Sequence, residues 1–372
     1  MPDTSILKER ILTSINRSYE LNDLPGLAVG VRLYLPGADV VDSGTDGSCT
    51  YIDISAVRGF ADYKTKETLE EDSVFHCASI SKLFTAVAVM RLVEDRKLSL
   101  NDKVCELLPW FRPVDHGYFD ATIRQLLSHI ARVPDVKDYE WKNHYNDSEI
   151  LKRYIMSGKV SGRKLLRASG RAYPSIKSSP KFAYSNIGYE LLGAVIAEVS
   201  RMDFEEYIKE QIFIKLGMSD STFLTFLRPR VRLVQPHYKD TDRSIRKQDY
   251  YPYTREHAPS STLTSTLRDL KKFGDAFLSR DPVLLSEASY DQMWEQKIAA
   301  SKAGVGMGLG WFIRKWDGIK LYGHDGTDEG FRSAFWVCPE LGFQVIVFSN
   351  TTDIDIKEIY KRIFEAIKTS DL

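Results

Sequence analysis

Residues 74–90, Val74-Phe75-His76-Cys77-Ala78-Ser79-Ile80-Ser81-Lys82-Leu83-Phe84-Thr85-Ala86-Val87-Ala88-Val89-Met90, change period partway along. The first four residues read as a short strand. From Ser81 onward, Leu83, Val87, Met90 and Val93 recur at helical spacing, which predicts a helix running to Asp95. Alanines and aliphatics fill the positions between them, so this helix is expected to be buried on most sides. The chain switches from strand pattern to helix pattern near residue 80.

On the N-terminal side of the switch, Leu27 to Leu35 and Tyr51 to Gly59 are β-rich runs, and the glycine-bearing loop between them predicts a hairpin. The first twelve residues read as an amphipathic helix. On the C-terminal side, Thr122–His129, Asp147–Met156, Asn186–Arg201 and Phe204–Leu216 carry helical patterns. Between them, Ser157–Pro180 is rich in serine, glycine and basic residues and reads as an exposed connection. Tyr238–Pro259 is polar and aromatic without periodicity, which suggests a long functional or lid-like loop. After a helix near Thr266–Leu278 the β pattern returns in Gly308–Ile313, Lys320–His324, Arg332–Val337 and Gln344–Ser349, and Ile354–Ile367 closes the chain as a helix. Strands at both ends with helices between them predict an α+β protein. One antiparallel sheet is built from residues 1–80 and 260–372, a mainly helical domain (81–259) is inserted, and the active site lies at their interface.

Composition removes several classes of function. Fifty-one lysines and arginines balance 51 aspartates and glutamates, so no charge excess favours nucleic acid or an anionic membrane surface. No apolar run approaches the roughly 20 residues that span a bilayer. The N-terminus lacks the pattern of a secretory signal, and the four scattered cysteines suggest neither a disulfide framework nor a zinc knuckle. The expectation is a cytoplasmic protein, with no metal or cofactor and a small-molecule substrate; oligomeric state is not legible.

Three short motifs could carry chemistry. In Ser79-Ile80-Ser81-Lys82, a serine three residues before a lysine at a helix start places both side chains on one face. A serine hydroxyl is a poor nucleophile until a base sits beside it, and a lysine in an apolar pocket can help take the proton. The alternative is that Ser79 only caps the helix; Ser5/Lys8, Ser161/Lys164, Ser178/Lys181 and Ser244/Lys247 show the same spacing. Tyr184-Ser185-Asn186 precedes another helix. A tyrosine whose pKa is pulled down by a lysine could act as base and then acid, whereas the plain reading is a buried tyrosine with Asn186 as an N-cap. Gly323-His324-Asp325-Gly326-Thr327 closes a strand. Its glycine could let backbone approach a substrate, or the segment is a plain turn. Lys302-Ala303-Gly304 competes for this third place.

Together and in this order, Ser79-x-x-Lys82, Tyr184-x-Asn186 and His324-x-Gly326 resemble the serine β-lactamase and penicillin-binding-protein superfamily, in particular its class C β-lactamase-like branch with family VIII esterases, D-amino-acid peptidases and transacylases. The likeness runs from about Leu24 to Asn350 and includes Lys97–Val104, Ile123–His129, Phe182–Tyr189 and Gly308–Trp311. It implies a β-lactamase/transpeptidase-like fold with a five-stranded antiparallel sheet flanked by helices. It also implies roles: Ser79 as acylated nucleophile, Lys82 assisting its deprotonation, Tyr184 as base, and Asn186 positioning Lys82 and substrate. The backbone N–H groups of Ser79 and Thr327 would form the oxyanion hole. Two departures matter. His324 stands where true class C enzymes carry lysine, and a partly charged histidine should hold a substrate carboxylate less well. In Leu127-Ser128-His129-Ile130-Ala131-Arg132 a family glycine is missing, which is expected to reshape the loop. The implied function is a serine hydrolase acting on an ester, amide or peptide through an acyl-enzyme. A true β-lactamase or D,D-peptidase, an acyltransferase, and an acylated sensor that does not turn over are the alternatives.

Overall fold

The computed structural model describes residues 4–35, 51–111, 120–133, 135, 139–141, 147–157, 181–227, 232–301 and 304–370. Six long strands form its centre: β1 (Gly26–Tyr34), β2 (Tyr51–Asp62), β3 (Phe312–Trp316), β4 (Ile319–Asp328), β5 (Phe331–Cys338) and β6 (Phe343–Ser349). They pair antiparallel in the order β2-β1-β6-β5-β4-β3, with Val29 opposite Ala56 on one side and Val347 on the other. Two-residue pieces extend both edges: Glu67–Thr68 beside β2, then Gly306–Met307 and Ile298–Ala299 beyond β3. Among the described residues the sheet therefore has nine strands rather than five. One cause is the Gly308–Ile313 run, which does not form a single strand. Gly310 takes φ +88°, and a Cβ there would lie 2.4 Å from the Ala86 Cβ, so the chain breaks between Met307 and Phe312 to let a helix approach.

Both faces of the sheet are covered, which explains why β5 and β6 read as continuous apolar runs instead of alternating ones. Leu27, Val29, Val31, Val345, Val347 and Trp336 face one core with helices α1 (Thr4–Asn22) and, at the C-terminus, Ile356–Lys368. The latter presents Ile356, Ile359, Tyr360, Ile363, Phe364 and Ile367 as one stripe, the spacing an amphipathic surface helix requires. The alternate residues Ala28, Phe335, Val337, Ile346 and Phe348 belong to a second, larger core. It takes in α2 (Ser81–Glu94), α3 (Asn186–Ser200) and α4 (Leu267–Ser279). As its composition predicts, α2 is buried along nearly its whole length.

Two further readings of the sequence need correction. Phe204–Leu216 is helical only to Ile208 and then widens into a π-helical turn over Lys209–Phe213. Tyr238–Pro259 is not lid-like. After a small hairpin, His237–Lys239 against Ile245–Lys247, the chain buries Tyr251, Tyr253, Arg255, His257 and Ala258. Arg255 donates to both carboxylate oxygens of Glu205, at 2.7 and 2.9 Å, and this fixes the segment as a wall. Nearly all of Ser157–Pro180, together with Lys302 and Ala303, lies outside the described residues.

Candidate active site

Ser79 sits in a short 3₁₀ turn, Ala78–Ile80, between the strand piece Phe75–His76 and α2. Ala78 takes φ +47°, a left-handed conformation that a Cβ disfavours, so the turn is held by its surroundings. The Ser333 hydroxyl donates to the Cys77 carbonyl (2.6 Å), and Ser81 Oγ donates to the Ala78 carbonyl (2.7 Å) while accepting from the Leu263 N–H (3.0 Å). Ser79 has no part in this and caps nothing: Ile80 precedes the first turn of α2 with no side-chain cap bond. Its Oγ accepts instead from Lys82 Nζ at 2.9 Å and from the Tyr184 hydroxyl at 3.1 Å.

Lys82 is fully buried. Its Nζ also donates to the Ser260 carbonyl (2.8 Å) and lies 5.0 Å and 5.6 Å from the ring centres of Tyr184 and Tyr189. Burial lowers its pKa to about 8, against the opposing pull of Glu190, Asp328 and Asp135. Near neutral pH, a deprotonated fraction is therefore within easy reach.

Tyr184 reaches Ser79 because α3 begins two residues later. Ser185, not Asn186, is the N-cap, accepting the Gly188 N–H at 3.1 Å. The Tyr184 ring lies against His129 with centroids 4.3 Å apart, and His129 Nδ1 accepts the Ser185 N–H at 3.2 Å. The phenol pKa is not pulled down as the sequence reading expects. Burial pushes it above the usual tyrosine value and outweighs the Ser79 hydrogen bond, so Tyr184 remains a proton donor at neutral pH. The Asn186 backbone N–H and Nδ2 both donate to Asp135, at 3.0 and 3.1 Å, while its Oδ1 has no hydrogen-bond partner among the described residues. Arg132, where the family glycine is missing, takes φ +57°, so the loop keeps a left-handed residue without glycine.

The third wall is β4. The strand continues through His324 and Thr327 to Asp328, so the segment is not a turn. Gly326 faces the Ser79 turn rather than a substrate: a Cβ there would stand 2.2 Å from Ser333 Oγ and 2.7 Å from the Cys77 carbonyl oxygen. This close approach places Thr327 and Ser79 on one cleft of about 760 Å³. His324 also lines the cleft, with Nδ1 2.6 Å from the Asp325 carbonyl and Nε2 without a partner among the described residues. Burial, with Lys82 and Arg314 nearby, lowers its pKa to about 3, so it is uncharged at neutral pH rather than partly charged. Asp325 faces away, accepting from Trp336 Nε1 (2.7 Å), Arg314 (2.8 Å) and Tyr360 (3.1 Å), and so ties β4 to the opposite core.

The structure thus brings Ser79, Lys82, Tyr184, Asn186, His324 and Thr327 around one site, with Gly326 behind it. Sequence reasoning did not single out Asp135, Glu190, His257, Ser260 or Asp328, whose carboxylate is 2.7 Å from His76 Nε2. None belongs to a short motif. Only their positions near the quoted motifs could have suggested them. Among the described residues no cluster has the makings of a metal site, and no helix is long and apolar enough to cross a membrane.

An antiparallel sheet and a helical layer that close on a buried Ser–Lys–Tyr cluster define a β-lactamase/transpeptidase-like α+β protein. The chain belongs to the β-lactamase family, whose model matches residues 20–366. It is 25% identical over 290 residues to penicillin-binding protein 4 of Amycolatopsis lactamdurans, covering 75% of this chain and 72% of that protein. It is 26% identical over 266 residues to penicillin-binding protein 4* of Bacillus subtilis (strain 168), covering 69% of this chain and 56% of the relative. The chain thus spans only about half the length of that second relative. A D-amino acid amidase structure from Ochrobactrum anthropi SV3, complexed with D-phenylalanine, superposes with a TM-score of 0.78 at 21% identity, covering 97% of this chain and 99% of that one.

Proposed function

We propose that the protein is a serine hydrolase that cleaves an ester or amide through an acyl-enzyme on Ser79. The supporting observation is that Ser79 Oγ accepts hydrogen bonds from both Lys82 Nζ and the Tyr184 hydroxyl. In the lysine's neutral form the first of these contacts can reverse. Ser79 Oγ–H then gives its proton to Nζ as the Oγ–carbon bond forms, and the carbonyl oxygen becomes an oxyanion facing the backbone N–H groups of Ser79 and Thr327. Collapse breaks the bond to the leaving group, which takes a proton from the Tyr184 hydroxyl, and Lys82 returns its proton to the phenolate. Water repeats the sequence on the acyl-enzyme. This division of labour differs from the one the family resemblance implies. Tyr184 is the acid and Lys82 the first base, because burial moves their pKa values in opposite directions.

The family membership and the penicillin-binding proteins among the relatives support acyl transfer. The uncharged His324 favours substrates without a carboxylate at that wall, and hence an esterase, amidase or peptidase over a β-lactamase. The test is intact-protein mass spectrometry after brief exposure to a fluorophosphonate, a short-chain activated ester or benzylpenicillin. The expected result is one phosphonyl adduct, lost in a folded Ser79→Ala variant, and ester turnover without a lasting penicillin adduct. Labelling that persists in Ser79→Ala would remove Ser79 from the nucleophile's place.

A further inference from the structure

Behind Lys82 lies a second buried polar cluster that the hydrolytic steps do not use. Glu190, on α3, is fully buried. Its Oε1 accepts the Ser260 hydroxyl at 2.6 Å and lies 3.1 Å from His257 Nδ1, while Oε2 has no hydrogen-bond partner among the described residues. Ser260 joins the two clusters. Its hydroxyl serves Glu190, and its backbone carbonyl accepts from Lys82 Nζ at 2.8 Å. A buried carboxylate kept only for structure would be expected to have both oxygens bonded, because an unpaired one carries a large desolvation penalty.

We propose that Glu190, held by Ser260 and His257, is a positioning residue whose charge keeps a proton on Lys82 and so sets the pH at which Ser79 becomes a nucleophile. The inference rests on the Ser79 acyl-enzyme reading above. The neighbours of Lys82 single out Glu190. Asp328 on β4 and Asp135 also attract the ammonium, and like Glu190 each has partners of its own, but Glu190 shares Ser260 with Lys82. Tyr184 and Tyr189 set their rings near the ammonium, and His129 and His324, which also feel its charge, are uncharged. Glu190 in turn meets Lys82 from α2, His257 and Ser260 from the wall segment, and Tyr139 and Tyr154 from the helical layer. Burial raises its carboxyl pKa on balance, and His257, Ser260 and Lys82 offset only part of that rise. Among the attractions acting on Lys82, that of Glu190 is the largest.

The experiment measures the rate of Ser79 phosphonylation by a fluorophosphonate against pH. The fluoride leaving group needs no proton from Tyr184, so the acid limb of the profile reports Lys82. For the native protein that limb is expected near pH 8. Glu190→Gln should move it down by about one pH unit, so that well below the limb the variant labels about tenfold faster than the native protein. Glu190→Asp, which keeps the charge, should leave the limb in place. Ser260→Ala keeps the carbonyl to Lys82 but takes a donor from Glu190, so it should shift the limb in the same direction by less. That variant carries the test should Glu190→Gln lose its cooperative melt. Equal slowing by Gln and Asp at every pH, or no shift in Glu190→Gln or Ser260→Ala, would overturn the inference and leave Ser79 standing as nucleophile. A native protein that does not label, or labels without an acid limb, would overturn the acyl-enzyme reading and this inference with it.

Discussion

At Ser79 three side chains converge on one oxygen, and the environment of each decides what it can give. Lys82 is driven towards the amine and Tyr184 is kept as phenol, so the two groups divide the base and acid work. Removing the Tyr184 hydroxyl should therefore hurt in proportion to how badly the leaving group needs a proton. Tyr184→Phe is expected to slow hydrolysis of an anilide or alkyl ester by about 10² or more, and of a p-nitrophenyl ester by far less. Equal losses on both substrates would return the base role to Tyr184. His324 poses a different question, because an uncharged imidazole cannot pair with a substrate carboxylate. His324→Lys should improve kcat/KM on an ester bearing a carboxylate beside the scissile bond relative to its neutral analogue, by about tenfold. No change in that ratio would mean that the anion does not reach this wall.

At the scale of elements, the site depends on how closely β4 approaches the turn that carries the nucleophile. Gly326 makes that approach, and its missing Cβ is occupied by Ser333 Oγ and the Cys77 carbonyl. Gly326→Ala should push β4 off the turn, lower the melting temperature by several degrees and abolish phosphonylation of Ser79 in the protein that remains folded. A variant that labels at the native rate would show that the strand can yield. The same turn marks what the sequence could and could not tell. The change of period at residue 80, the buried face of α2 and the long strands were legible, because burial on both faces leaves a continuous apolar record. The break at Gly310 was not, since its cause is Ala86, more than two hundred residues earlier. The same holds for the cap at Ser185, the anchoring of Asn186 by Asp135 and the conversion of residues 251–258 from apparent lid to wall. In each case a partner distant in sequence outweighs the local pattern. The candidate site was legible as three motifs, but the directions in which its groups titrate were not, because desolvation belongs to the closed structure.

Across the whole molecule, closing a helical layer over a two-faced sheet buries histidines where the chain must stay uncharged. His324 lies at the cleft, His129 beneath Tyr184, and His237 near the edge of the sheet, where its Nε2 accepts the Tyr63 N–H at 3.0 Å. Burial holds all three below the ordinary histidine value of 6.5, His324 at about 3 and His237 at about 4. Neutral imidazoles at His129 and His324 add no further cation near Lys82. The three buried histidines also tie stability to acidity. Between pH 6.5 and the folded-state values the unfolded chain binds protons that the folded chain refuses, so stability is full above pH 6.5 and falls as the pH drops through that window. Lys82 works the same way higher up: its lowered pKa penalises the fold near neutrality, and the penalty eases as the pH rises past about 8. Urea unfolding at pH 7 and pH 5 should show a marked loss of stability for the native protein, and His324→Asn, which cannot take up a proton, should lose less between the same two conditions. An identical loss in His324→Asn would mean that this imidazole ionises inside the fold, and the cleft would then carry a positive charge able to hold the anionic substrates it is expected here to refuse.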